Sequence, residues 1–563
     1  MVVDLLQSMT GWTGEELQSL MEIPPQMEQG DRAIPCFRFA KEEKKSPQDV
    51  AEKWKKSLES KGLPPEIDRV EAVGGYLNFH IHKPTLVREV LLTIQENKGK
   101  YGFEKRPKPP LAIIEFSSPN IAKPFSIGHL RSTNIGAALS RIFEARGWRV
   151  VRINHLGDWG TQFGKLMSAY RRWGNAELLR DQPIQNLYKL YVRFHEEEVS
   201  DPTLTEEARE WFSRLEQGDG EARELWQWFR DLTLMELKVL YDRLSIEFDH
   251  YWGESFYIDK IPQVLELLEK KKLTKISDDA TIIDLEPYGL PTCLVKKSDD
   301  SSLYLTRDLA TAIHRFDHFH FQQALYVVGA PQQTHFRQVF KILELVGKEW
   351  VNRCEHVPFG HISFGDEAMS TRKGNVVFLA DVLKRAEELA LKVVEEKNPA
   401  LEEKREVAQD VALAAILFAD LGSKRIKDVR FSWEDILSFD GETGPYLQYC
   451  LVRTQSLLRK YGRPIDTNVR FEILDKPEEL ALVRYLSLFP VILMRAEKER
   501  EPFLIGQHLI GVARMFNRFY TAHRIVDASD EDLVRARILL VAAVSDLLST
   551  GLKLLGIPTP ERM

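Results

Sequence analysis

The feature that most constrains the fold is one strand–loop–helix–strand pattern. Residues 111–116, LAIIEF, form a short apolar run typical of a strand buried in a parallel sheet. A polar loop follows at 117–126, and from about Gly128 apolar residues recur with helical spacing. Gly147 is placed to end that helix, and residues 149–154, RVVRIN, indicate a second strand. This βαβ unit predicts the opening of a doubly wound, Rossmann-like parallel sheet.

Three segments of different character make up the chain. Residues 1–105 combine a capped helix with an alternating strand at 77–81, which predicts a small α+β domain. Residues 106–377 hold the sheet, interrupted by a mainly helical insertion at about 165–290. Residues 378–563 show almost only helical periodicity, which predicts a helical-bundle domain. The expected fold class is therefore α/β plus all-α.

The second half of the sheet is expected beyond the insertion. Residues 292–297 and 302–306 indicate strands that flank a turn, and a helix follows from about Asp308. After it we expect a strand at 324–329, another helix, and a strand near 356–362.

Composition excludes several classes of protein. Hydrophobic residues make up 44% and charged residues 29%, as in ordinary globular chains. The longest apolar run is 411–419, whereas a membrane-spanning helix needs about 20 residues, and the first residues do not indicate a secretory signal. The net charge of −7 argues mildly against a nucleic-acid binder, although a large enzyme can carry a local basic face.

The four cysteines are scattered, and no Cys-x-x-Cys pair occurs. A zinc ribbon or a disulfide scaffold is therefore not expected. Thiols spaced in this way suit a reducing cytoplasm, where they pack as small apolar residues.

The loop between the first strand and its helix is a candidate anion site. Backbone N–H groups at a helix N-terminus, with its positive dipole end, bind anions. Gly128 permits close approach of a ligand, His129 can donate to a phosphate oxygen, and Lys123 can add positive charge. Taken alone, the loop is better explained as a plain βα loop with solvated side chains.

A second candidate loop, residues 368–376, is basic and contains a glycine. Arg372 and Lys373 on such a loop can close over a polyphosphate. Taken alone, this loop also is better explained as a solvated surface turn.

Together the two loops resemble the HIGH and KMSKS signatures of class I aminoacyl-tRNA synthetases. Further blocks, in the order of the family, narrow the resemblance to the arginyl-tRNA synthetases. These blocks are 118–120, 128–133, 154–160, 304–310, 441–449 and 516–520. Two departures occur: Ser126 stands at the first histidine of HIGH, and the second loop begins at Ala368 and lacks both usual lysines. Lys123 or Lys373 can substitute for them.

The resemblance implies ligation of L-arginine to tRNA(Arg) through an arginyl-adenylate, with ATP consumed and AMP and pyrophosphate released. It implies ATP with substrate-associated Mg²⁺ and no zinc. It also implies a cytoplasmic monomer without a membrane or an obligate protein partner.

The arginine pocket can be argued from charge. A carboxylate is the natural partner of a planar guanidinium, and Asp308, as a dry, buried group, is the best candidate. Tyr304 can stack on the guanidinium, Glu254 is a candidate second carboxylate, and Asn154 is a candidate partner for the polar end of the ligand. The resemblance carries arginine binding to Tyr304 and Asp308 and likewise implies Ser118, Pro119, Asn120, His129 and Gln332. With the two candidates above, the expected arginine-binding set is Ser118, Pro119, Asn120, His129, Asn154, Glu254, Tyr304, Asp308 and Gln332.

Three further sets follow from the resemblance. The catalytic set is His129, Gly128, Lys123, Arg372 and Lys373. The ATP-binding set is Gly128, His129, Met369, Ser370 and Thr371. The tRNA-binding set is Tyr446, Gln448, Arg518 and Tyr520. On the predicted helix of the last two, cations alternate with aromatic rings, which suits the unstacked bases of a single-stranded loop; these residues are Arg514, Phe516, Arg518, Phe519, Tyr520 and Arg524. Without the resemblance, an amphipathic helix with core aromatics explains the last pattern better. No metal ligands are expected.

Three alternatives stay open. A class I synthetase for another amino acid is disfavoured by Tyr304 and Asp308. A nucleotidylyltransferase with the same sheet is disfavoured by the long helical C-terminal segment. A tRNA-binding paralogue without catalysis is kept open by Ser126 and Ala368.

Overall fold

The computed structural model describes residues 2–22, 24, 27–121, 123–277, 280–296, 304–364 and 377–563. The chain forms two compact units. The terminal unit comprises Met1–Glu104, Val394–Ala414 and Ser438–Met563, and the central unit comprises Lys105–Val393 and Ala415–Leu437. The division into three domains stays a prediction, because the terminal unit groups the first and last segments of the chain.

The first segment of the terminal unit is a three-stranded antiparallel sheet with helices. Its elements are α1 (Val2–Thr10), α2 (Gly14–Leu20), β1 (Arg32–Pro35), α3 (Phe37–Glu43), α4 (Pro47–Lys61), β2 (Ile67–Val73), β3 (Tyr76–Ile81) and α5 (Lys83–Glu96). The strand predicted at 77–81 is confirmed as β3, which lies in the middle of the order β1-β3-β2. Because β3 is the middle strand, Asn78 is buried as well as its apolar neighbours.

The central unit, with two helices that cross the unit boundaries, alternates strands and helices. In chain order it contains β4 (Leu111–Glu115), α6 (Ile127–Ala145), β5 (Arg149–Ile153), α7 (Thr161–Trp173), α8 (Ala176–Asp181), α9 (Pro183–Glu197), α10 (Thr203–Glu216), α11 (Gly220–Arg243), α12 (Ile261–Lys270), β6 (Thr274–Ser277), β7 (Ala280–Ile283), β8 (Cys293–Lys296), α13 (Tyr304–Phe319), β9 (Gln323–Tyr326), α14 (Gln333–Leu345), β10 (Cys354–His356), β11 (Ile362–Phe364), α15 (Leu379–Lys397), α16 (Lys404–Leu421), β12 (Val429–Phe431) and α17 (Trp433–Ile436).

A parallel sheet of order β10-β9-β4-β5 forms the core of this unit. Every residue of β4 is buried, which explains its unbroken apolar run, since helices cover a parallel sheet on both faces. The predicted βαβ unit is confirmed, with α6 connecting β4 to β5. The carboxyl ends of the four strands meet at one edge, where open α/β sheets bind their ligands.

Two predicted strands differ in the structure. Residues 304–306 form the first turn of α13, because Leu305, Leu309 and Ala312 share one helical face that is buried in the core. The residues of the predicted turn, 299–301, lie outside the described residues. The strand expected near 356–362 is two strands: β10 joins the main sheet, whereas β11 pairs in parallel with β12.

The insertion is helical as predicted from α7 to α12, but it ends in a small antiparallel sheet of order β6-β7-β8. The segment after residue 378 is helical as predicted, apart from β12. No helix among the described residues combines the length and the apolarity that crossing a bilayer requires.

The last segment of the terminal unit is a helical bundle. Its helices are α18 (Gly444–Tyr461), α19 (Pro477–Leu486), α20 (Phe489–Glu499), α21 (Phe503–Ala522) and α22 (Glu531–Leu554). The first segment packs on it through α5, which contacts α19 and α22. Polar contacts also join the two segments: Arg484 Nε lies 3.2 Å from Asp31 Oδ1, and Arg32 Nη2 donates to Ser487 Oγ at 2.6 Å. The N-terminal segment is therefore built onto the helical bundle within one unit.

Candidate active site

The loop after β4 has a strained backbone at the carboxyl edge of the sheet. Ser117 and Ser118 have φ values of 75° and 45°, in the left-handed region that residues with a side chain rarely adopt. The Gly157 N–H holds the loop by donating to the Pro119 carbonyl at 3.0 Å. A Cβ on Gly157 would lie 2.3 Å from Asn120 Oδ1, so a side chain at this position would displace the Asn120 amide. Backbone strain of this kind persists only where the surroundings impose it, often at functional sites.

A buried tyrosine joins the loops that follow β4 and β5. The Tyr241 hydroxyl of α11 lies 2.7 Å from Ser117 Oγ and accepts a hydrogen bond from Asn154 Nδ2 at 2.9 Å. Two buried oxygens at this edge, Asn154 Oδ1 and Ser118 Oγ, have no hydrogen-bond partner among the described residues. Because unpaired buried oxygens are costly, they suit the polar end of a small ligand.

His129 lies in the first turn of α6, and Ser126 orients its imidazole. The Ser126 N–H donates to His129 Nδ1 at 3.1 Å, and Ser126 Oγ lies 3.0 Å from the same nitrogen. Since a backbone N–H can only donate, Nδ1 is the acceptor and the ring proton is on Nε2. Burial lowers the pKa of His129 to about 4, and the charge of Lys123 adds to the effect. At neutral pH this histidine is therefore an uncharged donor through Nε2.

The other predicted phosphate contacts are only partly described. Gly128 is exposed in the first turn of α6, and Lys123 Nζ lies 4.9 Å from the centre of the Tyr191 ring. The remaining members of the catalytic and ATP-binding sets lie outside the described residues; they are Met369, Ser370, Thr371, Arg372 and Lys373. Ala368 lies outside the described residues as well.

Glu254 is the buried carboxylate of the site, 8% exposed at the start of a 3₁₀ turn. Asp158 holds this turn, because its carboxylate accepts from the Ser255 N–H at 2.8 Å and from Ser255 Oγ at 2.7 Å. Burial raises the pKa of Glu254 to about 7; Arg307, whose Nη1 lies 3.7 Å away, opposes the shift and Asp308 adds to it. The carboxylate is thus only partly ionised at neutral pH.

The side chain of Asp308 is more exposed to solvent than predicted. Its side chain is 29% exposed, and Oδ2 accepts a hydrogen bond from His335 Nε2 at 2.5 Å. The expectation of a dry, buried carboxylate is therefore wrong for Asp308 and fits Glu254 instead. The reason is that Leu305 and Leu309 take the buried face of α13, and Asp308 lies at the border of that face.

Three other members of the predicted arginine-binding set lie at the surface of the central unit. Tyr304 is 61% exposed, and the Arg307 guanidinium lies 4.6 Å from the centre of its ring. Asn120 and Gln332 are exposed in the loops that precede α6 and α14. All three side chains are accessible to a ligand.

Three residues that shape this site were not in the predicted sets. Asp158 lies within a sequence block that carries the resemblance, and His335 lies three residues after Gln332, so their positions were a usable signal. Tyr241 lies near the end of a 24-residue helix in the insertion, outside every motif. Only its contacts in the folded chain reveal it.

A second candidate surface lies on α18 and α21 of the terminal unit. We call its residues the tyrosine cluster: Tyr446, Tyr449, Arg453, Asn517 and Tyr520. The Arg453 guanidinium lies 4.7 Å from the Tyr449 ring centre and 4.8 Å from that of Tyr520, and these rings are 42% and 39% exposed. Asn517 donates to the Tyr446 hydroxyl at 2.9 Å and accepts from Arg453 Nη1 at 2.8 Å. Exposed rings with a cation between them suit stacking of unpaired bases.

The other predicted RNA contacts differ from one another. Arg518 is exposed on α21. Gln448 is fully buried, and its Nε2 donates to the carbonyls of Asp410 at 3.1 Å and Pro558 at 2.9 Å. This side chain joins α18 to α16 and to the residues after α22, and we leave it out of the RNA-contacting set.

Three family models match the chain. The model described as arginyl tRNA synthetase N terminal domain matches residues 2–81. The model of tRNA synthetases class I (R), catalytic domain, matches residues 90–433, and the DALR anticodon binding domain matches residues 447–563.

Relatives match over the whole length. An arginine–tRNA ligase of Halothermothrix orenii is 46% identical over 563 residues, which cover 100% of this chain and 99% of the relative. An arginine–tRNA ligase of Alkaliphilus metalliredigens is 44% identical over 548 residues, or 97% and 96% of the two chains. The solved structure of Thermus thermophilus arginyl-tRNA synthetase superposes with a TM-score of 0.84, at 27% identity and 100% coverage of both chains.

Proposed function

The chain belongs to the class I arginyl-tRNA synthetases, and on this premise we propose that it attaches L-arginine to tRNA(Arg) in two steps. The arginine carboxylate attacks the α-phosphate of ATP and displaces pyrophosphate. The terminal ribose hydroxyl of the tRNA then attacks the carbonyl of the arginyl-adenylate, and AMP leaves. The relation that carries this proposal is the 46% identity with an arginine–tRNA ligase along the entire chain.

The chemistry needs no nucleophile from the protein. The residues of the site act by positioning the two substrates and by stabilising negative charge on the moving phosphates.

Glu254 and Asp308 are the proposed partners of the arginine guanidinium. Glu254 is buried with its pKa raised to about 7, so a cation beside it would be strongly favoured. Asp308 is partly exposed and accepts a hydrogen bond from His335, which orients one of its oxygens. Tyr304 and Gln332 are proposed to contact the same end of the ligand.

The polar end of arginine is proposed to lie at the loops after β4 and β5. Asn154 Oδ1 is a buried acceptor for the α-ammonium group, and Ser118 Oγ is a buried donor for the carboxylate. Pro119 and Asn120 complete the wall, held to Gly157 across the two loops.

ATP is proposed to bind at the start of α6. Gly128 has no side chain, so a phosphate can approach the backbone of the first helical turn. His129 donates through Nε2 to a phosphate oxygen without adding charge. Lys123, Arg372 and Lys373, with the backbone of Met369, Ser370 and Thr371, are proposed to neutralise the pyrophosphate as it leaves. Mg²⁺ would arrive on the triphosphate as part of the substrate.

The tRNA is proposed to place anticodon bases on the tyrosine cluster, with Arg518 contacting the backbone. The match of residues 447–563 to an anticodon-binding domain supports this assignment. Exposed aromatic rings and a cation tolerate different base geometries better than buried hydrogen-bonding groups do.

We further propose a monomeric enzyme of the cytoplasm that needs no obligate protein partner. The four free thiols, three of them buried, are compatible with a reducing compartment.

A charging assay with each of the twenty amino acids tests the proposed function. The expected result is aminoacylation of tRNA(Arg) with arginine alone, dependent on ATP. Charging of another amino acid would identify a synthetase of different specificity. Binding of tRNA without any charging would identify the inactive paralogue.

A further inference from the structure

A chain of four hydrogen bonds runs through the buried centre of the site. Asn154 Nδ2 lies 2.9 Å from Tyr241 Oη, which lies 2.7 Å from Ser117 Oγ. Ser117 Oγ lies 2.9 Å from Thr133 Oγ1, and Thr133 Oγ1 lies 2.7 Å from the His129 carbonyl oxygen. The four side chains of this relay are each at most 3% exposed.

The donors at the two ends of the relay are defined. Thr133 Oγ1 is the donor toward both Ser117 Oγ and the His129 carbonyl oxygen, and Asn154 Nδ2 is the donor toward Tyr241. Between Ser117 and Tyr241 either hydroxyl can donate.

The bond to Tyr241 holds the Asn154 amide in one orientation. Asn154 Nδ2 is turned toward the Tyr241 hydroxyl, which leaves Oδ1 as the group that has no partner among the described residues. Ser117 and Thr133 in turn hold the Tyr241 hydroxyl in place through the relay. The geometry points to Tyr241, Ser117 and Thr133 as positioning residues that present the Asn154 acceptor to the α-ammonium group of arginine.

This inference rests on the proposed function and deepens it. The relay starts on the backbone of His129, in the turn proposed to bind ATP, and ends at the group proposed to bind the amino acid. It therefore orients the amino-acid site from the helix that carries the nucleotide site.

The test is Tyr241→Phe, which removes one hydroxyl and keeps the ring. Without that hydroxyl the amide has no reason to keep its orientation, and we expect the KM for arginine to rise about tenfold in tRNA-dependent charging. The KM for ATP is expected to change less than twofold. The inhibition constant of 5-guanidinopentanoic acid, which is arginine without its α-ammonium group, is also expected to change less than twofold.

Two further variants separate orientation from general damage. Thr133→Val removes the anchor and should raise the arginine KM about threefold or more. Ser140→Ala is the matched control, because Ser140 Oγ makes the same kind of bond on α6, to the Gly136 carbonyl at 2.8 Å, outside the relay. Neither KM should change in the control. In an Asn154→Ala background, Tyr241→Phe should add less than a twofold effect.

Several results would overturn the inference. One is an unchanged arginine KM in both Tyr241→Phe and Thr133→Val. Another is an equal loss for arginine and for the analogue, which would make the hydroxyl a general support of the pocket. A wild-type protein that charges no arginine would instead overturn the proposed function, so the two failures are distinguishable.

Discussion

The two proposed binding surfaces hold their polar groups in opposite ways. Around Asn154 and Glu254 the groups are buried and bonded to neighbours, with single atoms left for a ligand. In the tyrosine cluster, the rings of Tyr449 and Tyr520 are about two-fifths exposed and share one cation, Arg453. A buried group rejects a ligand that leaves it unpaired, whereas an open ring accepts any base that can stack.

The difference predicts different sensitivities to substitution. Changes at the buried surface should be steep and specific for one substrate, because desolvated groups have no alternative partner. Changes at the tyrosine cluster should be shallow and confined to tRNA.

The largest effect is expected for His129→Ala. The rate of adenylate formation should fall by about 10²–10³, the scale for removing one preorganised donor from a transition state. Pyrophosphate exchange with saturating arginine and tRNA measures it. Near-normal turnover would remove His129 from the mechanism.

Glu254→Gln should raise the KM for arginine by about 30- to 150-fold, since a charge-assisted bond is worth ~2–3 kcal/mol. The KM for ATP should stay within twofold. Asp308→Asn is the comparison variant: it should cost less, because Asp308 is partly exposed and already accepts a hydrogen bond from His335. An equal or larger loss at Asp308 would reverse the ranking of the two carboxylates.

The pH dependence of arginine use should report Glu254. Burial raises the pKa of this carboxyl to about 7, so at pH 6 only about a tenth of the free enzyme carries the charge that arginine needs. The value of kcat/KM for arginine should therefore rise up to about tenfold between pH 6 and pH 8. In Glu254→Gln this rise should be absent; if it persists, a group other than Glu254 controls it.

The smallest effect is expected at the tyrosine cluster. Tyr520→Ala should raise the KM for tRNA about fivefold to tenfold, the lower part of the range for losing one stacked base. The arginine and ATP parameters in pyrophosphate exchange at saturating tRNA should not change. Gln448→Ala is the contrasting variant. Because it removes a buried side chain that holds the fold together, it should lower the midpoint of thermal unfolding, whereas Tyr520→Ala should leave that midpoint nearly unchanged.

Much of the candidate site followed from local pattern. The strand at 111–116 and the helix after it are visible because a buried strand is uniformly apolar and a helix repeats every 3.6 residues. These two elements place Ser118 and His129 at the same edge of the sheet. The role of Ser126 was not predictable, since its bond to His129 depends on how the helix starts.

The error at Asp308 has a physical cause. Residues 304–306 fit strand and helix patterns almost equally, and packing against the core decided for the helix. On that helix the buried face is taken by Leu305 and Leu309, and Asp308 lies at its border, so the carboxylate stays partly exposed.

The sequence alone determined the order of the elements, the family and most of the residue types at the site, because these follow from periodicity and short motifs. Only the tertiary structure decided which carboxylate is buried, which nitrogen of His129 carries the proton and which way the Asn154 amide faces. Two of these depend on partners distant in the chain, Tyr241 for Asn154 and Arg307 for Glu254, and no local pattern encodes contacts between such distant residues. The third depends on Ser126, which is near His129 in sequence but is brought to its ring only by the way α6 starts.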